Sequence, residues 1–369
     1  MFFFITIQAK EVFIITEEQI KNKIYNQLMK QNEHIIIEHM PDEYFNLFWN
    51  NVSLLCKGGI LTSSKSVDKF CNKLQLLGSY NRDKCFQGLS EMMFWLYSIR
   101  MNYNFEIDQR LHTKSENNNS DVDIQIIKDG YRFNIEIKTP NQIKKTDESI
   151  LNITIPFRAF DKKEIQDEKL GKVTGDFAQK IIANSQGKYT ASKQTKIDDN
   201  KVIEYLKSGQ KKFSLEEKSI NVLALSVTSH QMNDYWGYLC NPCTGIFTEQ
   251  FTGRFFDKNN KEIKHSDFDK VDVIYLTNIV EGHIRYFKDF DSWKLENYCS
   301  ILLINPFSQR TRKRSDVEAY KKLLEILPND TLKFNSEHDK RNLQLAEIGI
   351  PIDPIFFFEY LHDNYRILW

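Results

Sequence analysis

The chain carries no excess of either charge. Fifty lysines and arginines balance 50 aspartates and glutamates over 369 residues. A zero balance excludes a global basic field, so any contact with nucleic acid has to come from local patches. No apolar run approaches the length of a membrane span. The apolar start at residues 1–5 is cut short by Lys10 and Glu11, with no small-residue cleavage site behind it, so it reads as a buried strand. Six cysteines are scattered along the chain, and without a secretory signal they predict free thiols in a reducing cytoplasm. Cys240 and Cys243 form the one CxxC, and no second pair stands at motif spacing to complete a tetrahedral zinc site. Thr244 and Gly245 follow it, so it reads as a turn. His34 and His39 are five apart rather than the i, i+4 of a helical metal pair, and read as ordinary surface or core histidines. No repeat of solenoid period is present.

What is there is a chain with 41% hydrophobic residues, enough for a full core and too many for disorder. Its most informative stretch is residues 120–140, SDVDIQIIKDGYRFNIEIKTP. Val122, Ile124 and Ile126 alternate with Asp121, Asp123 and Gln125; Phe133, Ile135 and Ile137 alternate with Asn134, Glu136 and Lys138. Period-2 alternation on both sides of Lys128-Asp129-Gly130 predicts a β-hairpin. An in-register hairpin gathers two or three carboxylates and one ammonium on a single patch. Carboxylates on adjacent strands suit a hard divalent cation such as Mg²⁺.

This arrangement resembles the PD-(D/E)xK nuclease superfamily, the restriction-endonuclease-like fold. Glu136-Ile137-Lys138 supplies the ExK element and Asp123 the preceding acid, with Asp121 as the alternative ligand. Ser120-Asp121 stands where that family's Pro-Asp would. The resemblance implies a Mg²⁺- or Mn²⁺-dependent nuclease, with DNA favoured as substrate. In it Asp123, Glu136 and the backbone carbonyl of Ile137 hold the metal, and Lys138 positions and activates the attacking water. A helix before the core strands often contributes a further acid in this superfamily. Glu91 takes that place, in the middle of an apolar helical stretch at residues 84–101. Two alternatives stay open: an RNA-cleaving nuclease or toxin with the same site, and a catalytically silent nuclease-like binding module.

The expected architecture is α/β (α+β), with a central mixed sheet flanked by helices. An accessory region covers residues 1–80, the nuclease core residues 81–305 and a helical segment residues 306–369. Helices are expected at residues 17–30, behind a Thr16 cap, and at residues 42–55. A first core strand is expected at residues 103–111, and buried strands at 221–228, 271–278 and 299–305. Residues 175–187 read as the crossover helix, with Gln179 and Gln186 able to reach a phosphate. Residues 207–218 read as a charged loop or a mobile segment, and the aromatics of residues 235–256 as a small subdomain core. Arg310, Arg312, Lys313 and Arg314 are the densest basic cluster and the expected phosphate contact. The aromatic terminus at residues 351–369 should dock on the body or on a second subunit or partner protein.

Overall fold

A computed structural model describes residues 15–40, 42–111, 121–141, 149–157, 163–198, 200–240, 245–248, 261–285, 290–313, 317–347 and 356–365. The expected strand at residues 1–5 and the tip of the basic cluster at Arg314 lie outside them, as do residues 241–244 and 249–260. Four helices come first: α1 (Glu17–Leu28), α2 (Ile35–Glu38), α3 (Glu43–Lys57) and α4 (Ser64–Lys73). Thr16 caps α1 in a capping box with Gln19, as the sequence led one to expect. The long helix α5 (Arg82–Arg100) follows, and is buried around most of its circumference because few of its faces are polar.

Three antiparallel strands come next: β1 (Asn104–Arg110), β2 (Asp121–Lys128) and β3 (Tyr131–Lys138). Lys128 pairs with Tyr131 across a two-residue turn in which Asp129 and Gly130 have φ of 51° and 77°. Two consecutive left-handed residues match the twist of a tight hairpin, which is why Asp-Gly stands there. A separate parallel pair, β4 (Ile150–Phe157) and β5 (Ala191–Asp198), flanks α6 (Lys163–Asn184) in the chain. Then come α7 (Asn200–Lys212), β6 (Ser219–Ser226), α8 (Ser229–Cys240), β7 (Val273–Thr277), α9 (Ile279–Ile284) and β8 (Ser300–Ile304). The chain closes with α10 (Gln309–Lys313), α11 (Val317–Ile326), α12 (Thr331–Glu347) and α13 (Phe356–Asn364).

The main sheet has the order β1-β2-β3-β6-β7-β8, with β3, β6 and β7 parallel and both flanks antiparallel. It is a mixed sheet between two apolar layers. Phe133, Ile135, Val222, Ala224, Val273 and Tyr275 face the layer built on α1–α5. Leu223, Leu225, Ile274 and Leu276 face the layer holding α7, α8 and α13. β6 is buried along its whole length, which accounts for its unbroken apolar sequence.

Three expectations are corrected. The helix containing residues 175–184 is the longer α6, and it packs on β4 and β5 rather than on the main sheet. The crossover from β3 to β6 carries α7, which takes in residues 207–212 of the expected charged loop, while residues 213–218 do form the loop before β6. The lysines of α7 fall on one side of an amphipathic helix whose Val202, Ile203 and Leu206 are buried. Of the aromatics expected to form a subdomain, Trp236 and Tyr238 lie on α8 and join the second core layer with Phe247, while Phe251, Phe255 and Phe256 lie outside the described residues. Tyr360 and Leu361 of α13 dock into that same layer. Among the described residues no helix is long and apolar enough to cross a membrane.

α4 and α5 touch closely at Gly88, where a Cβ would stand 2.3 Å from the Lys73 carbonyl oxygen. Alanine normally stabilises a helix interior relative to glycine by about 1 kcal/mol. Gly88→Ala should instead destabilise the protein by about 1–3 kcal/mol, since overpacking must push α4 away. Urea denaturation checks this; a stabilised variant would show that α4 is not fixed against α5.

Candidate functional site

The hairpin strands part company at one end. Their last regular rung is Ile124↔Ile135, and the next would join Asp123 to Glu136. There the ladder stops and side chains take over. Asp123 Oδ2 accepts the Ile137 N–H at 2.7 Å, substituting for a backbone carbonyl. Gln87, from α5, donates from Nε2 to the Ile137 carbonyl at 2.9 Å and accepts the Thr139 N–H at 2.8 Å through Oε1. The same Nε2 donates to Glu91 Oε1 at 2.9 Å, so one amide ties the strand end to the helix acid. A fork results, with β2 on one prong, β3 on the other and α5 across the gap.

Glu136 lies at its base and is fully buried. Lys138 Nζ stands 2.6 Å from its Oε1. Lys212, on the last turn of α7, stands 2.7 Å from Oε1, donates to Oε2 at 2.8 Å and donates to the Asp121 carbonyl at 3.0 Å. Oε1 thus sits between two ammoniums, and neither oxygen of this buried carboxylate lacks a cation. Glu91, nearly as buried, is ion-paired with Lys73 of α4. Lys73 also lies 3.4 Å from Asp108, which Lys69 holds at 2.6 Å. Asp108 occupies the rung opposite Asp123, between the pairs Ile107↔Ile124 and Gln109↔Val122, and has φ of 51°. A left-handed non-glycine residue inside a strand is strained, and this one carries a carboxylate toward the site lysines.

The electrostatics follow from crowding. Burial first, then Glu136 and Glu91, push the Asp123 carboxyl well above the ordinary carboxylate range, against the pull of the Ile137 N–H and Lys212. Burial works against the charged form of Lys138, but Glu136, Asp123 and Glu91 outweigh it, so its pKa stands above the usual lysine value. Lys73 behaves alike: burial opposes the charge, and Glu91, Asp108 and Asp123 more than offset it. Both lysines are therefore ammoniums at neutral pH.

The sequence-derived residues are distributed as follows. Asp123, Glu136, Lys138 and Glu91 come together at the fork, and the Ile137 carbonyl faces Gln87 there. The Asp121 side chain is exposed, and only its backbone carbonyl reaches the site. Gln186 is exposed just past the end of α6, and Gln179 is exposed too. Arg310 is interior, 6% exposed, bonded to the Glu216 carbonyl and to Ser219 and 3.3 Å from Asp272. It is spent on holding α10 to the sheet and is not presented to a phosphate. The side chains of Arg312 and Lys313, like all of Arg314, lie outside the described residues. Sequence reasoning missed Lys212, Lys73, Gln87 and Asp108, all of which arrive through tertiary packing. The one available signal was the i, i+4 spacing of Gln87 and Glu91, which puts both on one helical face.

Among the described residues no three acidic, histidine or cysteine side chains are grouped to hold a metal ion. The donors do fit a magnesium-like cation, which is commonly held by one or two carboxylates plus water and substrate phosphate. Asp123, Glu136 and the Ile137 carbonyl are hard oxygen donors on adjacent strands, with Lys138 and Lys212 in the place of a cation on Glu136. Comparison with protein families, with curated proteins and with solved structures finds no match for this chain.

The crowded carboxylates set a stability expectation. A carboxyl whose pKa is raised by folding binds more protons in the native than in the unfolded state above about pH 4. Stability therefore falls as pH rises out of the ordinary carboxylate range toward the native value. Asp123→Asn keeps an acceptor for the Ile137 N–H and removes that loss. In EDTA at neutral pH the variant should be as stable as wild type or more so, the difference vanishing near pH 4. Urea titrations at both pH values check this; a variant less stable at both would make Asp123 a purely structural acceptor.

Proposed function

We propose that the chain is a metal-dependent nuclease of the PD-(D/E)xK type, hydrolysing phosphodiester bonds, with DNA the favoured substrate. The observation that carries this reading is the meeting of Asp123, Glu136 and Lys138 at one strand fork, faced by Glu91 from the preceding helix. The chain order supports it: a buried helix, three antiparallel strands, then a long crossover, through β4, α6, β5 and α7, into a strand parallel to β3.

Asp123 and Glu136 would hold Mg²⁺ or Mn²⁺, with the Ile137 carbonyl beside them. Such an ion lowers the pKa of an attacking water and stabilises charge on the scissile phosphate. The protein's own groups supply the rest. Lys138, held as an ammonium, is a donor that orients a water or steadies a phosphate oxygen, and is not itself a general base. Lys212 is a second cation on the same carboxylate, and would be free to meet a substrate phosphate if Glu136 held a metal ion. Gln87 fixes the Ile137 carbonyl and Glu91 relative to each other, so the donors do not have to be gathered anew at each turnover.

The ammoniums lodged on Glu136 favour a second reading, a nucleic-acid-binding module in which lysines stand in permanently for the cation. Incubation with plasmid, single-stranded DNA and RNA, with and without Mg²⁺ or Mn²⁺, separates the two. Metal-dependent cleavage is expected, and Lys138→Ala should lower its rate at least 100-fold. Binding without cleavage under every metal condition would favour the module, and cleavage of RNA alone would move the substrate.

A further inference from the structure

With Arg310 interior, the positive surface that meets a polyanion has to lie elsewhere, and α4 offers one. Its buried face is Val67, Phe70 and Cys71. Lys65, Lys69 and Lys73 recur every four residues on the other side. At 1.5 Å per residue they form a row of about 12 Å with steps of about 6 Å. The row does not end at random. Lys73, at its inner end, is ion-paired with Glu91, and Lys69 with Asp108, while Lys65 lies exposed at the outer end. Asp68, the one acid of this helix, is taken by Lys23 of α1 at 2.6 Å, so the only acids paired with the row are Glu91 and Asp108 of the site among the described residues.

We propose that this lysine row is the track along which a phosphodiester strand enters the fork; the proposal rests on the nuclease reading above. Apart from the row itself, among the described residues Glu91, Asp108, Asp123 and Glu136 are met at the fork only by Lys138 and Lys212, so the row supplies the cations that draw a polyanion there. Lys69 is 57% exposed, so its pair with Asp108 is a weak one that a phosphate oxygen can replace at little cost. The strained Asp108 then acts as a placeholder, keeping Lys69 and Lys73 extended toward the site while no substrate is bound. The region expected to be accessory thus supplies the substrate surface.

The test uses the full chain in EDTA, a labelled single-stranded DNA oligonucleotide as probe, and phosphatidylserine vesicles as a second polyanion. Lys65→Gln combined with Lys69→Gln should weaken oligonucleotide binding and flatten the plot of log affinity against log salt by about 1.4, about 0.7 for each lost phosphate contact. A charge-matched control, Lys294→Gln with Lys321→Gln, removes two exposed lysines near the opposite end of α5 and the turn end of the hairpin, and should keep the wild-type slope. An unchanged slope in the α4 variant, no oligonucleotide binding by wild type, or binding to vesicles alone would each overturn the proposal. Failure of the nuclease reading is separate. A flattened slope with no cleavage under any metal leaves the track standing, and metal-dependent cleavage with an unchanged slope removes the track and keeps the nuclease.

Discussion

Glu136 brings a negative charge to a position without solvent access, where removing either charged partner of such a pair costs about 3–5 kcal/mol. The chain meets that demand with Lys138, two residues on in the same strand, and with Lys212, delivered from 76 residues away by α7. The surrounding structure is arranged to make those deliveries. α7 crosses the sheet on its buried face so that its last turn ends over β3, and the pairing of β3 with β6 fixes where that crossover starts and stops. A hydrophobic residue at position 136 would pack more cheaply. The carboxylate at this position is therefore not explained by stability alone.

The opposite layer serves the same point from the other side. α5 is buried along most of its length, so Gln87 and Glu91 have little freedom to leave the fork. Gly88 lets α4 approach closely enough for Lys73 to reach Glu91. The fork is thus framed by elements whose own packing is apolar and rigid, while its lining is entirely polar. A buried chain, Gln125 to Asn134 to Asn221, extends that polar face across β2, β3 and β6. Such fully bonded rows hold strand register, because a slip of one residue would leave each amide without its partner.

The hairpin was legible because its signals are local: period-2 alternation, a two-residue Asp-Gly turn and an acid on the strand face opposite the apolar set. The same holds for α1, with its Thr16 cap, and for the continuous apolar run of β6. Lys212 and Lys73 were invisible for the opposite reason. Each looks like any surface lysine until the fold carries it to a carboxylate on another element. Arg310 was misjudged because a run of cations reads as a surface, whereas a buried Asp272 claims this one member. The β4–β5 pair escaped notice because β5, Ala-Ser-Lys-Gln-Thr-Lys-Ile-Asp, has little apolar alternation to announce a strand.

The account stands on the fork being a cation site in which Glu136 exchanges its ammonium partners for a divalent ion. Titration of the substrate-free protein with Mn²⁺, followed by electron paramagnetic resonance of the free ion, measures this without reference to cleavage. Wild type should remove Mn²⁺ from solution with Mg²⁺ competing for the same site, and Glu136→Gln should reduce that uptake at least tenfold. Uptake that is absent from wild type, or undiminished in Glu136→Gln, would contradict the account and leave the fork as a salt-bridged structural joint.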